Sequence, residues 1–385
     1  MTTSTPDTKD LRIESVRFDH FRNYPMFKLD DVGPLTVFVG RNAIGKTNIV
    51  EGIELLTALS SFRNPTARQL VQWGNENARL QAKFSSASRN LDLELSIADG
   101  KKSYTLNGKP KKIQTLKGLL PAVAFTPDDL DLVKGSQGSK RAALDALGSQ
   151  LSPNYYVIRK DYEKILQHKN RLLKEEGSPS YLDAVDETLL AVGTQLYCYR
   201  SSLFAKLLRE IERYYREITD GSESIQAAYV PSWEDHDPEK TETFVLGKED
   251  ALDTMCFSLK NGREEERRRR HAVIGPHADR IEFFIEGKNA RIYGSQGQQR
   301  SIVLSFKLAE VALIQDMLDQ KPVLLLDDVM SELDEQRRNA LVGFISGDIQ
   351  TFITTTNLQY FSEDILAQAR VIRLGAEEDE RSTKR

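Results

Sequence analysis

The stretch that decides the fold is "LTVFVGRNAIGKTNIVEGIELL", Leu35 to Leu56. Five apolar or β-branched residues read as a buried strand and end at Gly40. From Lys46 the spacing turns helical, with Ile49, Ile53 and Leu56 on one face. Between them, Gly40-Arg41-Asn42-Ala43-Ile44-Gly45-Lys46-Thr47 matches the P-loop pattern G-x-x-x-x-G-K-[ST] in the strand-to-helix context it needs. Glycines let such a loop curl until several backbone N–H groups converge on phosphate oxygens, and the helix N-terminus adds favourable partial charge. The loop through Asn48 is therefore expected to cradle ATP. Lys46 would reach the β- and γ-phosphates, and Thr47 would ligate Mg2+. A chance glycine-rich turn is the competing reading.

Working outward, "PVLLLDD", Pro322 to Asp328, gives a second buried strand with two carboxylates at its C-terminal end. In open α/β sheets that end is where ligands bind. Asp327 is expected to hold Mg2+, and Asp328 to orient or deprotonate the attacking water. About 280 positions separate Lys46 from Asp327, so a large insertion must divide one nucleotide site. Long, charged, helically periodic stretches such as "VIRKDYEKILQHKNRLLKEE" and "YLDAVDETLLAVGTQLYCYRSSLF" supply it, with "GSPS" as the helix–helix turn. The expected organisation is a first half-head over 11–135, a mainly helical arm over 136–270 and a second half-head over 271–375. Disordered tails are expected at 1–10 and 376–385. "LDLELSI" with the turn pairs Asp99–Gly100 and Asn107–Gly108 reads as an antiparallel meander, and "AAYVPSWEDHDPEK" as irregular chain.

"YGSQGQQRSIVL", Tyr293 to Leu304, is a polar glycine loop entering an apolar helix. Its Ser295-Gln296-Gly297-Gln298 resembles the signature loop of ABC-type ATPases, and Ser331-Glu332-Leu333-Asp334 resembles their D-loop. That resemblance implies that Ser295, Gly297 and the helix start act in trans, on the γ-phosphate held by a second copy. A plain helix N-cap at Ser295 is the alternative. The ABC pattern is departed from twice: no glutamine follows the strand in "AVAFTPDD", and the switch histidine is replaced within Thr354-Thr355-Thr356, with Thr356 the expected position.

Taken together, "FRNY", "GRNAIGKTN", "TPDDLDLVKGS", "GPHADR", "YGSQGQQRS" and "LLLDDVMSELD" resemble the RecF family along nearly the whole chain, from about Leu11 to Gly375. The resemblance implies an ABC-type α/β head, like those of SMC and Rad50 proteins, with mixed β-sheets, an inserted helical arm and no long coiled coil. It implies an ATP- and Mg2+-dependent homodimer that binds single-strand gaps and single-strand/double-strand DNA junctions. It further implies work with RecR and RecO in recombinase loading, replication restart and SOS induction, with slow, DNA-stimulated hydrolysis. Asp328 stands where many relatives of this class carry glutamate, and its shorter side chain is expected to slow turnover.

Composition fits these expectations: 39% hydrophobic and 29% charged residues, and no apolar run long enough for a bilayer span. The polar first ten residues contain no signal-peptide core, and two cysteines, Cys198 and Cys256, suit a reducing compartment, so a cytoplasmic protein is expected. A net charge of −4 requires any DNA contact to come from local patches. Lys101, Lys102, Lys109, Lys111 and Lys112 form one candidate; Arg63 with Arg68, and Arg267 to Arg270, are others, each of which could equally be a solvated face. Two other classes compete. A chromosome-maintenance head of SMC or Rad50 type would carry hundreds of coiled-coil residues. The nucleotide-binding subunit of a transporter sits poorly with the helical insertion and the missing glutamine and histidine.

Overall fold

A computed structural model describes residues 11–234, 245–345 and 348–375. The tails expected at 1–10 and 376–385 lie outside the described residues. In chain order the strands are β1 Arg12–Phe21, β2 Tyr24–Leu29, β3 Leu35–Val39, β4 Ala78–Ser86, β5 Arg89–Ala98, β6 Lys101–Leu106, β7 Lys109–Lys111, β8 Ala122–Phe125, β9 Ile225–Val230, β10 Arg280–Ile285, β11 Lys288–Asn289, β12 Val323–Asp327, β13 Thr351–Thr355 and β14 Arg370–Arg373. The chain forms two compact units, one holding the chain up to Asp129 and from Ile314 on, the other Leu130–Leu313.

The first unit contains two sheets. One is all parallel, in the order β14-β3-β13-β12-β8. Every residue of β3, β12 and β13 is buried, as strands covered on both faces must be. The other is an antiparallel sheet in the order β2-β1-β4-β5-β6-β7, which contains the meander read from the two turn pairs. Between them runs the Lys46–Leu56 helix. Ile49, Val50 and Ile53 share one core with Phe18, Leu80 and Leu95 of the antiparallel sheet and Leu325 and Phe352 of the parallel one. This double covering buries Ile49 through Leu56 without a break, so the helix shows no solvent face. Gly52 permits the approach: a Cβ there would lie 2.5 Å from the Phe18 ring.

The second unit is largely helical. Ser152 caps the Pro153–Lys174 helix by accepting from the Tyr155 N–H, with Pro153 at the first helical position. After a short turn comes the Pro179–Ile218 helix of 40 residues, roughly 60 Å long at the α-helical rise. Leu172, Leu173, Leu182 and Val185 pack the two near their turn. Beside this cluster the fully buried Lys169 ammonium lies 2.7 Å from Asp186 and 2.6 Å from Glu266. The helices Gln137–Leu151, Lys248–Asn261 and Arg263–Arg269 pack on this pair, and no long coiled coil is present among the described residues.

Two sequence expectations are corrected here. The "AAYV" portion of the stretch read as irregular belongs to strand β9; of the remainder, residues 235–240 lie outside the described residues. All residues of β9 but Gln226 are buried, so the alternation that marks a strand is missing. Strand β10 was expected to resume the α/β head from about residue 270. It instead pairs with β9 and β11 in a separate three-stranded sheet of the second unit. That unit runs from 130 to 313, where the sequence pattern had suggested an arm over 136–270.

Candidate nucleotide site

The parallel sheet brings the two chemical motifs to one edge. β13 lies between β3 and β12, so the C-terminal ends of all three strands meet there. Gly40 continues β3, its N–H donating to the Thr355 carbonyl at 3.3 Å. The loop then takes two left-handed residues, Ala43 (φ 65°) and Gly45 (φ 111°). At Gly45 this backbone suits glycine alone, because a Cβ would also sit 2.6 Å from the Asn23 amide and 2.8 Å from the Tyr24 hydroxyl. Arg41, Asn42 and Ala43 are exposed at the tip, and Ile44 is half-buried.

The Lys46 ammonium folds over this loop, donating to the Gly40 carbonyl at 2.8 Å and the Arg41 carbonyl at 3.0 Å. Burial lowers its pKa, while Asp328 and Asp327 pull it back up. Asp327 Oδ1 accepts from two hydroxyls, Thr47 Oγ1 at 3.0 Å and Thr354 Oγ1 at 2.7 Å. Burial raises the Asp327 pKa, opposed first by those two hydroxyls. Asp328 is left-handed (φ 54°), a conformation aspartate tolerates. Its N–H donates to both the Thr354 carbonyl (3.1 Å) and the Thr354 hydroxyl (3.0 Å). Burial also raises the Asp328 pKa; Lys46 lowers it, and repulsion from Asp327 adds to the rise. Asp328 Oδ1 is buried and makes no protein hydrogen bond. An unsatisfied carboxylate oxygen beside a buried ammonium, a hydroxyl-clamped aspartate and a glycine cradle is the donor set that a magnesium-bound triphosphate requires.

The remaining candidates fall as follows. Thr356, the expected switch position, has an exposed side chain; its backbone adds to Lys46 in favouring the charged form of Asp328. Ser331 is exposed, its hydroxyl donating to the Asp328 carbonyl at 2.8 Å. Asp334 caps the Glu335–Ile345 helix, accepting from the Arg337 N–H at 3.0 Å. Ser295 to Gln298 lie in the second unit as a capping box: the Gln298 N–H donates to Ser295 Oγ at 3.2 Å, and the Ser295 N–H donates to Gln298 Oε1 at 2.8 Å. Exposed Ile292 and Tyr293 precede them. Lys101, Lys102, Lys109, Lys111 and Lys112 are all exposed on or next to β6 and β7. The Arg267–Arg270 run is largely neutralised by Glu264, Glu265 and Glu176.

A family model described as the RecF/RecN/SMC N-terminal domain matches residues 12–382. Curated relatives named "DNA replication and repair protein RecF" include that of Lactobacillus gasseri, 34% identical and covering 92% of this chain and 95% of its own. That of Lactobacillus acidophilus is 35% identical, covering 94% and 96%. The chain belongs to the RecF family. A solved structure of the recombination mediator protein RecF with ATP, in the RecFOR pathway, superposes with a TM-score of 0.81 at 29% identity, covering 90% of this chain and 94% of that one. An Smc head from Pyrococcus furiosus (TM-score 0.51, 15% identity) shares the fold. The architecture is thus that of RecF and SMC heads, an ABC-type ATPase fold. No helix among the described residues is long and apolar enough to cross a membrane.

Sequence reasoning missed two parts of this RecF-family site. One is Thr354, which clamps both aspartates. The other is Glu51, fully buried on the P-loop helix and gripped in bidentate fashion by Arg22 at 2.7 and 2.8 Å, with Ser61 at 2.7 Å and Arg63 at 3.4 Å. Arg63 also donates to Asn48 at 2.8 Å, and Asn48 to Asn23 at 2.8 Å. The "FRNY" motif therefore braces the loop from outside. A carboxylate one turn into a helix that follows a P-loop, with an arginine-bearing motif elsewhere in the chain, was the available signal.

Proposed function

We propose that this chain is an ATP- and Mg2+-dependent DNA-binding protein of recombinational repair. It would dimerise on ATP, bind single-strand gaps and single-strand/double-strand junctions, and help load recombinase in the cytoplasm together with RecR and RecO. The observation that carries this reading is the convergence of the Thr47 and Thr354 hydroxyls on Asp327 beside Lys46, in a chain whose relatives are named as repair proteins.

In this reading Lys46 exchanges its two loop carbonyls for phosphate oxygens, and the N–H groups of residues 41–48 hold the rest of the phosphate chain. Thr47 and Asp327 hold Mg2+, whose charge would offset that of the phosphates. Asp328, with its free oxygen, orients the attacking water. Its raised pKa and short reach suit a slow, switch-like turnover. Ser295 to Gln298 of the second unit, and Ser331 and Asp334 of the first, would each meet a second copy. The exposed lysines of β6 and β7 are the candidate phosphate contacts for DNA, with salt-sensitive affinity.

Sedimentation of the full chain with MgATP and gapped duplex tests this. A nucleotide-dependent dimer that prefers gapped over blunt duplex supports the reading. A monomer at every concentration, or equal affinity for both DNAs, overturns it.

A further inference from the structure

We propose that Glu223 is a positioning residue for the signature loop, locking Gln298 in the one amide orientation that leaves the Ser295 hydroxyl proton free to point outward. This rests on the reading that the loop serves a second copy's nucleotide.

The position of Glu223 is fixed from both sides. The Pro179–Ile218 helix ends with Gly221 in the left-handed region (φ 70°), its N–H returning to the Arg216 carbonyl at 2.8 Å. Two residues later comes Glu223, and then β9, which is pinned along β10. Glu223 Oε2 accepts from the Tyr215 hydroxyl at 2.7 Å, and Oε1 accepts from Gln298 Nε2 at 2.8 Å. Both donors thus engage one carboxylate.

The direction of each bond matters. A carboxylate only accepts, so Gln298 must present its NH2 to Glu223 and its carbonyl oxygen to the other side. That oxygen is what receives the Ser295 N–H, at 2.8 Å. Meanwhile the Gln298 N–H occupies a lone pair of Ser295 Oγ. The serine hydroxyl is then an acceptor inward, and its proton remains available to an oxyanion outside. If the amide flipped, the N–H of Ser295 would face an NH2 group and the capping box would open. Sequence shows only a Ser-x-x-Gln cap; the glutamate that fixes its sense lies some 70 residues earlier, at the foot of the long helix. Glu223 also lines a cavity of about 320 Å³ with Glu212, Tyr215, Arg216 and Glu286.

The test uses the full chain with MgATP and the variants Glu223→Gln, Glu223→Met and Ser295→Arg. Nucleotide affinity of the monomer is read with a fluorescent ATP analogue, and the dimer dissociation constant by sedimentation velocity. Methionine keeps the volume and removes both acceptors, so its dimer is expected to be about tenfold weaker. Monomer nucleotide affinity should stay unchanged. Glutamine still accepts from Gln298 Nε2 and is expected to restore dimerisation to within about threefold of wild type. A methionine variant that dimerises like wild type, or one whose nucleotide affinity falls in step with its dimerisation, overturns the positioning role. Ser295→Arg separates the two claims. If it blocks dimerisation while Glu223→Met does not, the reading in trans stands and the role of Glu223 falls. If wild type fails to dimerise, or Ser295→Arg dimerises normally, both fall.

Discussion

Replacing Thr354 by valine is the sharpest probe of how the aspartate pair is held. The swap is nearly isosteric, so packing within β13 is kept while the hydroxyl is lost. Two hydrogen bonds depend on that side chain. It donates to Asp327 Oδ1 at 2.7 Å, it accepts from the Asp328 N–H at 3.0 Å, and its donation helps restrain the Asp327 pKa that burial raises. A hydrogen bond to an ionised group contributes about 1.5–3 kcal/mol, and the Asp328 N–H keeps the Thr354 carbonyl at 3.1 Å as a second acceptor. The net loss should therefore be about 2 kcal/mol in whichever state needs Asp327 ionised. Because the nucleotide-bound state needs it more, MgATP affinity should fall by about tenfold or more. The sign of the pH effect follows. Without the hydroxyl the Asp327 pKa rises further, so protons compete with Mg2+ at higher pH than in wild type. In calorimetry over a falling pH series, affinity should start to drop at a higher pH for Thr354→Val than for wild type, and Thr354→Ser should restore the wild-type profile. An unchanged affinity with an unchanged pH profile would refute the claim that Thr354 clamps this aspartate.

Three further outcomes are expected. Asp327→Asn removes a buried carboxylate whose pKa is raised, so its ionised form opposes folding at neutral pH; the nucleotide-free variant should melt higher than wild type at pH 8, yet gain nothing from MgATP in the same thermal scan. Arg22→Ala strips a bidentate partner from the fully buried Glu51 and should cost about 3 kcal/mol in denaturant unfolding of the first unit, whereas Arg63→Ala should cost much less. His277, held between the Tyr162 hydroxyl at 2.7 Å and the Ala272 carbonyl at 3.1 Å, has its pKa lowered by burial to about 4. Its folded pKa lies below the unfolded one, so it contributes a loss of stability as pH falls from about 6.5 toward 4, at most about 3 kcal/mol. Buried Asp279, raised to about 6, works in the opposite direction, so the His277→Gln difference from wild type, measured by urea unfolding at pH 7.5 and 5, isolates the histidine.

Much of the head was legible because its signals are local. A buried strand, a glycine turn and a helix are contiguous at 35–56, and the apolar run before Asp327 is contiguous too. What escaped reading depends on register between distant segments. Asp327 pairs with Thr354 only because β12 and β13 run parallel in that alignment, and nothing in "TTT" distinguishes the threonine facing the aspartates from its neighbours. Glu51 was hidden because a helix between two sheets has no polar face to betray an odd carboxylate. Strand β9 was hidden because its partner β10 lies some 50 residues away and both its faces are covered. The signature serine carried two readings in sequence. By geometry it is a helix cap.

The central claim is that one copy's P-loop closes on another copy's Ser295 tip through a bound triphosphate. Cysteines placed at exposed Asn42 and at exposed Tyr293, two residues before Ser295, with Cys198 and Cys256 changed to serine, allow a short bifunctional maleimide to read that contact directly. The account predicts a crosslinked dimer that forms with MgATP, disappears without nucleotide, and is lost when Lys46 is alanine. A crosslink that never forms, or one that forms equally without nucleotide, would contradict it.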